Sequence, residues 1–484
     1  MHKLMSSLVL LVVYVLLAPS IVVANGGWEQ VGTSIQVPDG YRIYMTDISD
    51  DGLTALASFY IPDDENRTQQ KVVRIYDLNS GDWVQRGADL VGPVGVNGRV
   101  KLSGDGNTVA IGGTTGRGDA GSLLVYNWSN STSEWNQKGD EIVGGDGSQS
   151  TQYGLDVSIS GNTLAVTEFY GQSIKVYDFE SGAWSLRVSP LTGFDIRELS
   201  LARDGDFLAF SYMTDGDTAA TEVLDWNPQN QRWDLRGQII NGPSGAQLQF
   251  ISLSESGDVL HTTTPKFSED FNFAGLVRVY RFSTDLQEWK LVGNEIRGQR
   301  EDHRLSLEVV ENAISDDGSI IVYEEVDIET QKVFFRIKQW SERYGWLDLE
   351  PLLTPLENEF YLRNPSMSGN GEFLTLAVLD EYPGPGFMKV LKIVGQDGDE
   401  DGVPDAADLY PNDATQSLNT PYRFSFHGTI DFASDSSEGK VPHGVKAGEA
   451  YRYTIVVDNH GGSGAGQPWD RSDIEYLILT LNDD

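Results

Sequence analysis

The chain has no cysteine among its 484 residues. A disulfide framework, a thiolate metal site and a cysteine nucleophile are therefore all excluded. Basic residues are scarce. Lys and Arg number 35 against 72 Asp and Glu, a formal net charge of −37. Binding to a phosphate backbone or to anionic lipid needs a basic face, so no nucleic-acid partner is expected. The six histidines are scattered, with no His-x-x-x-His pair to seed a metal site. Neither a Gly-x-Ser-x-Gly elbow nor a Gly-x-x-x-x-Gly-Lys-Ser/Thr phosphate loop occurs. What is abundant is glycine, at 52 residues, and tryptophan, at 11. With aromatics at 10% the chain is too apolar to be a wholly disordered acidic polymer.

Residues 1–24 read as a secretory signal peptide. Lys3 supplies the positive start, residues 8–17 an unbroken apolar run, Pro19 a helix break, and Val22-Val23-Ala24 a small-residue cleavage site. An uncleaved anchor is the alternative, since residues 4–24 are nearly long enough to span a bilayer. No later apolar run approaches that length. The mature chain is expected to be secreted, extracellular or in the cell envelope, with no transmembrane segment.

Residues 28–394 carry a repeat. Tryptophan recurs at Trp28, Trp83, Trp135, Trp184, Trp233, Trp289 and Trp346, at spacings of 55, 52, 49, 49, 56 and 57. Glycine follows four residues later at Gly32, Gly87, Gly139, Gly237 and Gly293, while Val188 and Glu350 replace it in the other two copies. A turn of Ser/Asp/Gly type, such as Ser49-Asp50-Asp51-Gly52 or Ser315-Asp316-Asp317-Gly318, precedes an apolar strand. A third strand alternates, as in Val73-Arg74-Ile75-Tyr76-Asp77. Four short antiparallel strands in seven copies predict an all-β fold, a seven-bladed β-propeller over 25–394. Trp28 precedes all seven three-strand groups, and no tryptophan strand follows the last. The simplest topology has the Trp28 strand closing the final blade. The tryptophans are expected to cap the space between blades.

These repeats resemble the integrin-α/FG-GAP-like propeller repeats of secreted and surface proteins, through Trp-x-x-x-Gly-x-x-Ile, Leu-Ser-x-Asp-Gly and Val-x-Val-Tyr, clearest at Trp135 to Ile142 and Leu102 to Gly106. Members sometimes bind calcium in blade loops. Here the nearest approach, Thr214-Asp215-Gly216-Asp217, reads as a hairpin. The resemblance implies a recognition scaffold more than an enzyme.

Residues 397–408 place Asp397, Asp399, Asp401, Asp405 and Asp408 at loop positions 1, 3, 5, 9 and 12, with Gly402 at position 6 and the Val403 carbonyl at position 7. This is the ligand spacing of a Ca²⁺ loop, in which glycine permits the sharp turn. The alternative is a solvated acidic linker. Pro411 argues against a helical flank. Residues 399–413 look like a thrombospondin type 3 repeat, a calcium-wrapped connector. Carried over, the resemblance makes the same five aspartates ligands. The linker is taken as 395–420.

Residues 421–484 alternate as a small, incomplete-looking β module. No catalytic residue stands out. The functional expectation is an exported calcium-binding propeller for recognition, adhesion or scaffolding, with a surface glycan or protein ligand. The alternative is a polysaccharide-acting hydrolase or lyase with carboxylates in the propeller channel. A purely structural surface-layer element is a third reading. Arg117-Gly118-Asp119 reads as a hairpin turn, and Asn66, Asn127 and Asn130 head glycosylation-type triplets.

Overall fold

The computed structural model describes most of residues 27–394 and three strands between 422 and 481. Residues 1–26 and 395–421, the links between the three C-terminal strands, and several blade loops (among them 62–69, 114–120, 145–154, 266–274 and 306–312) lie outside the described residues. Every regular element among the described residues is a strand, and no helix there is long and apolar enough to cross a membrane.

Seven sheets follow one another along the chain, and together they are the blades of a seven-bladed β-propeller. Blade 1 runs Arg42–Ile48, Thr54–Tyr60, Gln70–Asn79, Asp82–Gln85. Blades 2 to 6 repeat this order from Val100–Leu102, Leu155–Val157, Asp195–Leu201, Phe250–Leu253 and His303–Leu305. Blade 7 holds Tyr361–Met367, Phe373–Leu379 and Phe387–Val394. Its fourth strand is Gly27–Gln30, with Trp28 opposite Ile393. The chain start therefore closes the ring, and the edge of the last sheet is paired.

The core lies between blades. One cluster joins Leu56, Val73 and Ile75 of blade 1 to Val100, Leu102 and Ile111 of blade 2. Another joins Leu374 and Leu376 of blade 7 to Val322 and Phe335 of blade 6. Each sheet thus buries both faces against its neighbours, which is why the middle strands read as continuous apolar runs.

The repeat's fixed residues are spent on closing blades and joining them. Ser49 Oγ donates to Asp51 at 2.6 Å and accepts from the Thr54 amide at 2.9 Å, and Asp51 accepts from the Leu53 amide at 2.9 Å. Ser103 with Asp105, Ser315 with Asp317, and Ser368 with Asn370 repeat the arrangement. The Trp83, Trp135, Trp184 and Trp289 indoles each donate to a carbonyl of the preceding blade, at Val31, Arg86, Lys138 and Arg236, at 2.7–2.8 Å. Trp346 does the same to Val292 at 3.1 Å. The glycine after each acceptor explains the Trp-x-x-x-Gly spacing. Gly139 has φ +74, and a Cβ there would lie 2.8 Å from the Trp184 ring. Arg86, Lys138 and Arg187, three residues after a tryptophan, lie over aromatic pairs of the next blade, and Arg236, in the same place, lies over Phe207 of its own blade and Phe282 of the next, at 4.2 and 4.0 Å from their centroids.

The structure adds one element that periodicity did not predict. Past the glycine turn a short fifth strand (Ile35–Gln36, Leu90–Val94, Ile142–Val143, Leu191–Thr192, Ile240–Asn241, Ile296–Arg297) returns to pair with the third strand of six blades. The apolar residue seven after tryptophan begins each of these strands. They are too short for an alternation signal.

Candidate functional site

The first strands of neighbouring blades pack against one another around the axis, among blades 1 to 5 and between blades 7 and 1. The turn leaving each first strand therefore rims one mouth of the central channel. In these turns the serine (alanine in blade 4) and the Asp, Ser or Asn two residues on are used up locally. The residue between them is free to vary: Asp50, Gly104, Arg203, Glu255, Asp316 and Gly369 in blades 1, 2, 4, 5, 6 and 7. The blade 3 counterpart lies outside the described residues.

Backbone hydrogen bonds link these turns. The Asp50 amide donates to the Gly104 carbonyl at 2.8 Å, Arg203 to Glu255 at 3.0 Å, Asp316 to Gly369 at 2.8 Å, and Asn370 to Asp50 at 2.9 Å. A side chain at either glycine would displace a carboxylate, because a Cβ at Gly104 would sit 2.1 Å from an Asp50 oxygen and one at Gly369 2.6 Å from an Asp316 oxygen. Small residues in blades 2 and 7 thus leave room for carboxylates in blades 1 and 6.

Arg203 spans the mouth. From blade 4 its guanidinium reaches Asp50 of blade 1 at 2.9 Å, Glu255 of blade 5 at 3.4 Å, and Asp316 of blade 6. Oxygens of Asp50, Glu255 and Asp316 all lie within 4.8 Å of one another, the only such acidic grouping among the described residues. Burial pushes the Asp50 carboxyl up to about 7; Arg203 opposes the shift, while Asp316, Asp51 and Asp47 add to it. Asp316 is also raised, by burial first, with Arg203 opposing. The mouth therefore combines a guanidinium clamp with a carboxyl that changes charge near neutrality.

Further charged residues lie on or beside the first strands. Asp47, two residues before the blade 1 turn serine, accepts from the Leu102 amide and from Ser366 Oγ, both at 2.8 Å. Lys101, two before the blade 2 serine, stands 3.8 Å from the same carboxylate. Ser200 and Ser252, at the matching place in blades 4 and 5, accept from the Leu253 and Ala313 amides. Arg99 of blade 2 skips blade 3 to meet Glu198 of blade 4 at 3.0 Å. These pairs are largely buried, so losing one partner strands the other charge.

The sequence-expected ligands Asp397, Asp399, Asp401, Val403, Asp405 and Asp408 lie outside the described residues, as do Arg117-Gly118-Asp119 and Asn66. Thr214 is described, and it closes a hairpin onto Thr218, its amide donating at 3.0 Å. Asn130 is exposed at a hairpin turn, whereas the Asn127 side-chain amide donates to the Trp128 carbonyl within the strand. His261 is fully buried, and burial lowers it to about 3. The residues that sequence reasoning missed are Arg203, Asp50, Glu255 and Asp316. A signal existed: aligned on the turn serine, one variable column carries three acids and one arginine.

The fold is shared with solved propellers. The β-propeller domain of Myceliophteria thermophila Cps50 (Swd1) is 13% identical with a TM-score of 0.51, over 75% of this chain and 99% of that one. Kuenenia stuttgartiensis hydrazine synthase is 13% identical with a TM-score of 0.48, over 75% and 97%. The C-terminal WD40 domain of Sif2 is 11% identical with a TM-score of 0.45, over 76% and 99%. No protein-family model and no curated protein matches the chain. Likeness at such identities shows the propeller fold alone.

Proposed function

We propose that the protein is an exported recognition and scaffolding propeller that binds a surface glycan or protein ligand through its blade loops. One observation carries this reading: the described channel carboxylates are engaged by the chain's own cations. Arg203 fills the space among Asp50, Glu255 and Asp316, and Arg99 and Lys101 meet Glu198 and Asp47. A hydrolytic channel needs a carboxyl pair open to substrate. Here the charges brace blades against one another, and the variable loops are left as the contact surface. The FG-GAP-like repeat pattern supports the same role.

In this reading calcium is held by Asp397, Asp399, Asp401, Asp405 and Asp408 with the Val403 carbonyl, and it stiffens the connector after the propeller. Calorimetric titration of calcium into the chain and into Asp401→Ala tests it, and equal heats would remove the site. Limited proteolysis near residue 400, with and without chelator, gives an independent readout.

One observation favours the alternative of a polysaccharide hydrolase or lyase. Burial raises the Asp50 carboxyl to about 7 beside two others, the direction a general acid needs. Glycan-array binding without turnover of any polymer supports the scaffold. Turnover abolished by Asp50→Asn establishes the enzyme instead.

A further inference from the structure

Lys71, Val73 and Ile75 share one face of the third strand of blade 1, Gln70–Asn79. Val73 and Ile75 pack there against Val100, Leu102 and Ile111 of blade 2. Lys71 ends this row and is as fully enclosed as they are, at 0% exposure. Four lysines are buried among the described residues, and three of them are well partnered. Lys101 stands 3.8 Å from Asp47, Lys338 2.7 Å from Asp348, and Lys138 donates to the Gly161 carbonyl and to Asn162 Oδ1, both at 2.8 Å. Lys71 differs. Its Nζ reaches the Gly112 carbonyl at 3.5 Å, the outer limit of a hydrogen bond, and stands 4.8 Å from the centre of the Tyr44 ring. No carboxylate pairs with it among the described residues. Its charged neighbour is instead a second cation, Arg99. Gly112 ties the two together, because its amide donates to the Arg99 carbonyl at 2.9 Å.

An ammonium buried without a counter-ion is costly, and the group escapes the cost by releasing its proton. Burial lowers the Lys71 amine to about 7, and Arg99 adds to the shift. Near neutrality the amine therefore carries a free lone pair, which makes it a nucleophile. The enclosure decides which electrophile it takes. A sugar or a keto acid does not fit an apolar seam that leaves the lysine no exposure, whereas carbon dioxide is triatomic and apolar and enters by local opening.

We propose that Lys71 is a carbamate-forming site, whose nitrogen takes carbon dioxide and whose new charge is held by the Arg99 guanidinium. The nitrogen lone pair attacks the carbon of CO₂, an N–C bond forms, and one C=O π pair moves onto oxygen. The nitrogen then gives one proton to solvent. Amine plus CO₂ becomes carbamate plus H⁺, with no oxidant or reductant. The product is an anion, which the seam tolerates only beside a cation. Arg99 supplies it: a guanidinium has five donors and serves Glu198, at 3.0 Å, and a carbamate together. The seam between blades 1 and 2 thereby reads dissolved carbon dioxide as a change of charge from neutral to negative.

The test is carbon NMR of the purified full chain in isotope-labelled bicarbonate. A carbamate resonance is expected. Alkylation with a trialkyloxonium salt then fixes the carbamate as an ester, and peptide mass spectrometry locates it. An ordinary lysine amine is under about 1% neutral near pH 8, so the adduct at Lys71 should exceed that at any solvent-exposed lysine by on the order of 100-fold. Lys71→Met, similar in length and uncharged, keeps the seam filled and should lose the resonance. Because the mapping is made on the unaltered chain, a variant that fails to fold leaves the test intact. No carbamate in saturating bicarbonate would overturn the proposal, since the amine is then held charged or shut off from CO₂. So would an adduct confined to the chain's amino terminus or spread evenly over the lysines.

Discussion

Arg203 of blade 4 meets Asp50 of blade 1 across the channel mouth at 2.9 Å. Two blades lie between these residues along the chain, yet the ring brings their turns to one opening. The same guanidinium holds Glu255 and Asp316, so four blades share one cation. This clamp resists splaying of the ring, a role that local turn hydrogen bonds cannot fill.

Replacing Arg203 by Met should therefore leave three neighbouring carboxylates without their cation. Arg203 is about a third exposed, so the loss is discounted from the buried-pair range to about 1–2 kcal/mol. Urea unfolding followed by tryptophan fluorescence measures it as a lower midpoint. Added divalent cation should restore part of the loss in this variant and leave the unaltered chain's propeller transition unchanged.

The Asp50 carboxyl makes stability depend on pH. Its value rises from 3.8 to about 7 on folding, so the folded chain binds the proton more tightly than the unfolded chain. The stabilisation is fully present below about pH 4 and is lost as pH climbs through about 7. Asp50→Asn, which stays neutral, should flatten that segment of the curve and raise stability at pH 8 by about 1–2 kcal/mol. Urea midpoints measured across pH 4–9 check the sign.

Two glycines with similar backbones should respond differently to alanine. Gly182 has φ +87 with nothing within 4 Å of its would-be Cβ, whereas Gly139 has φ +74 with the Trp184 ring at 2.8 Å. Gly182→Ala should cost about 1 kcal/mol from backbone strain alone. Gly139→Ala should cost about 2–4 kcal/mol, because the indole that donates to Lys138 must also shift. Thermal melts of the pair separate strain from crowding.

Removing residues 25–36 deletes the strand opposite Phe387–Val394 together with its short companion. The last blade then presents an unpaired edge. The truncated chain should elute as aggregates in size-exclusion chromatography and lose its single cooperative unfolding transition.

Much of the propeller was legible because its signals are local. Trp83, Gly87 and the Ser-x-Asp-Gly turns act within one blade or between neighbours, and a recurring neighbour contact imposes a recurring residue. Even closure by Trp28 followed from counting strands. The mouth was not legible in that way. Arg203 breaks the repeat, with Ala202 standing where other blades have serine, and by itself it reads as one charged turn residue among many. Its meaning depends on which turns the ring sets facing one another.

The acidic excess, the missing cysteines and the Trp period were determined by the sequence alone, and so was the all-β class, since periodicity and composition are properties of the chain itself. Which of the 72 acidic residues matter was decided only by the tertiary structure. Electrostatic interaction depends on separation in space and on burial, and both are set by ring closure. Asp51 closes a turn, while its neighbour Asp50 answers to an arginine of a blade that is not adjacent in the ring.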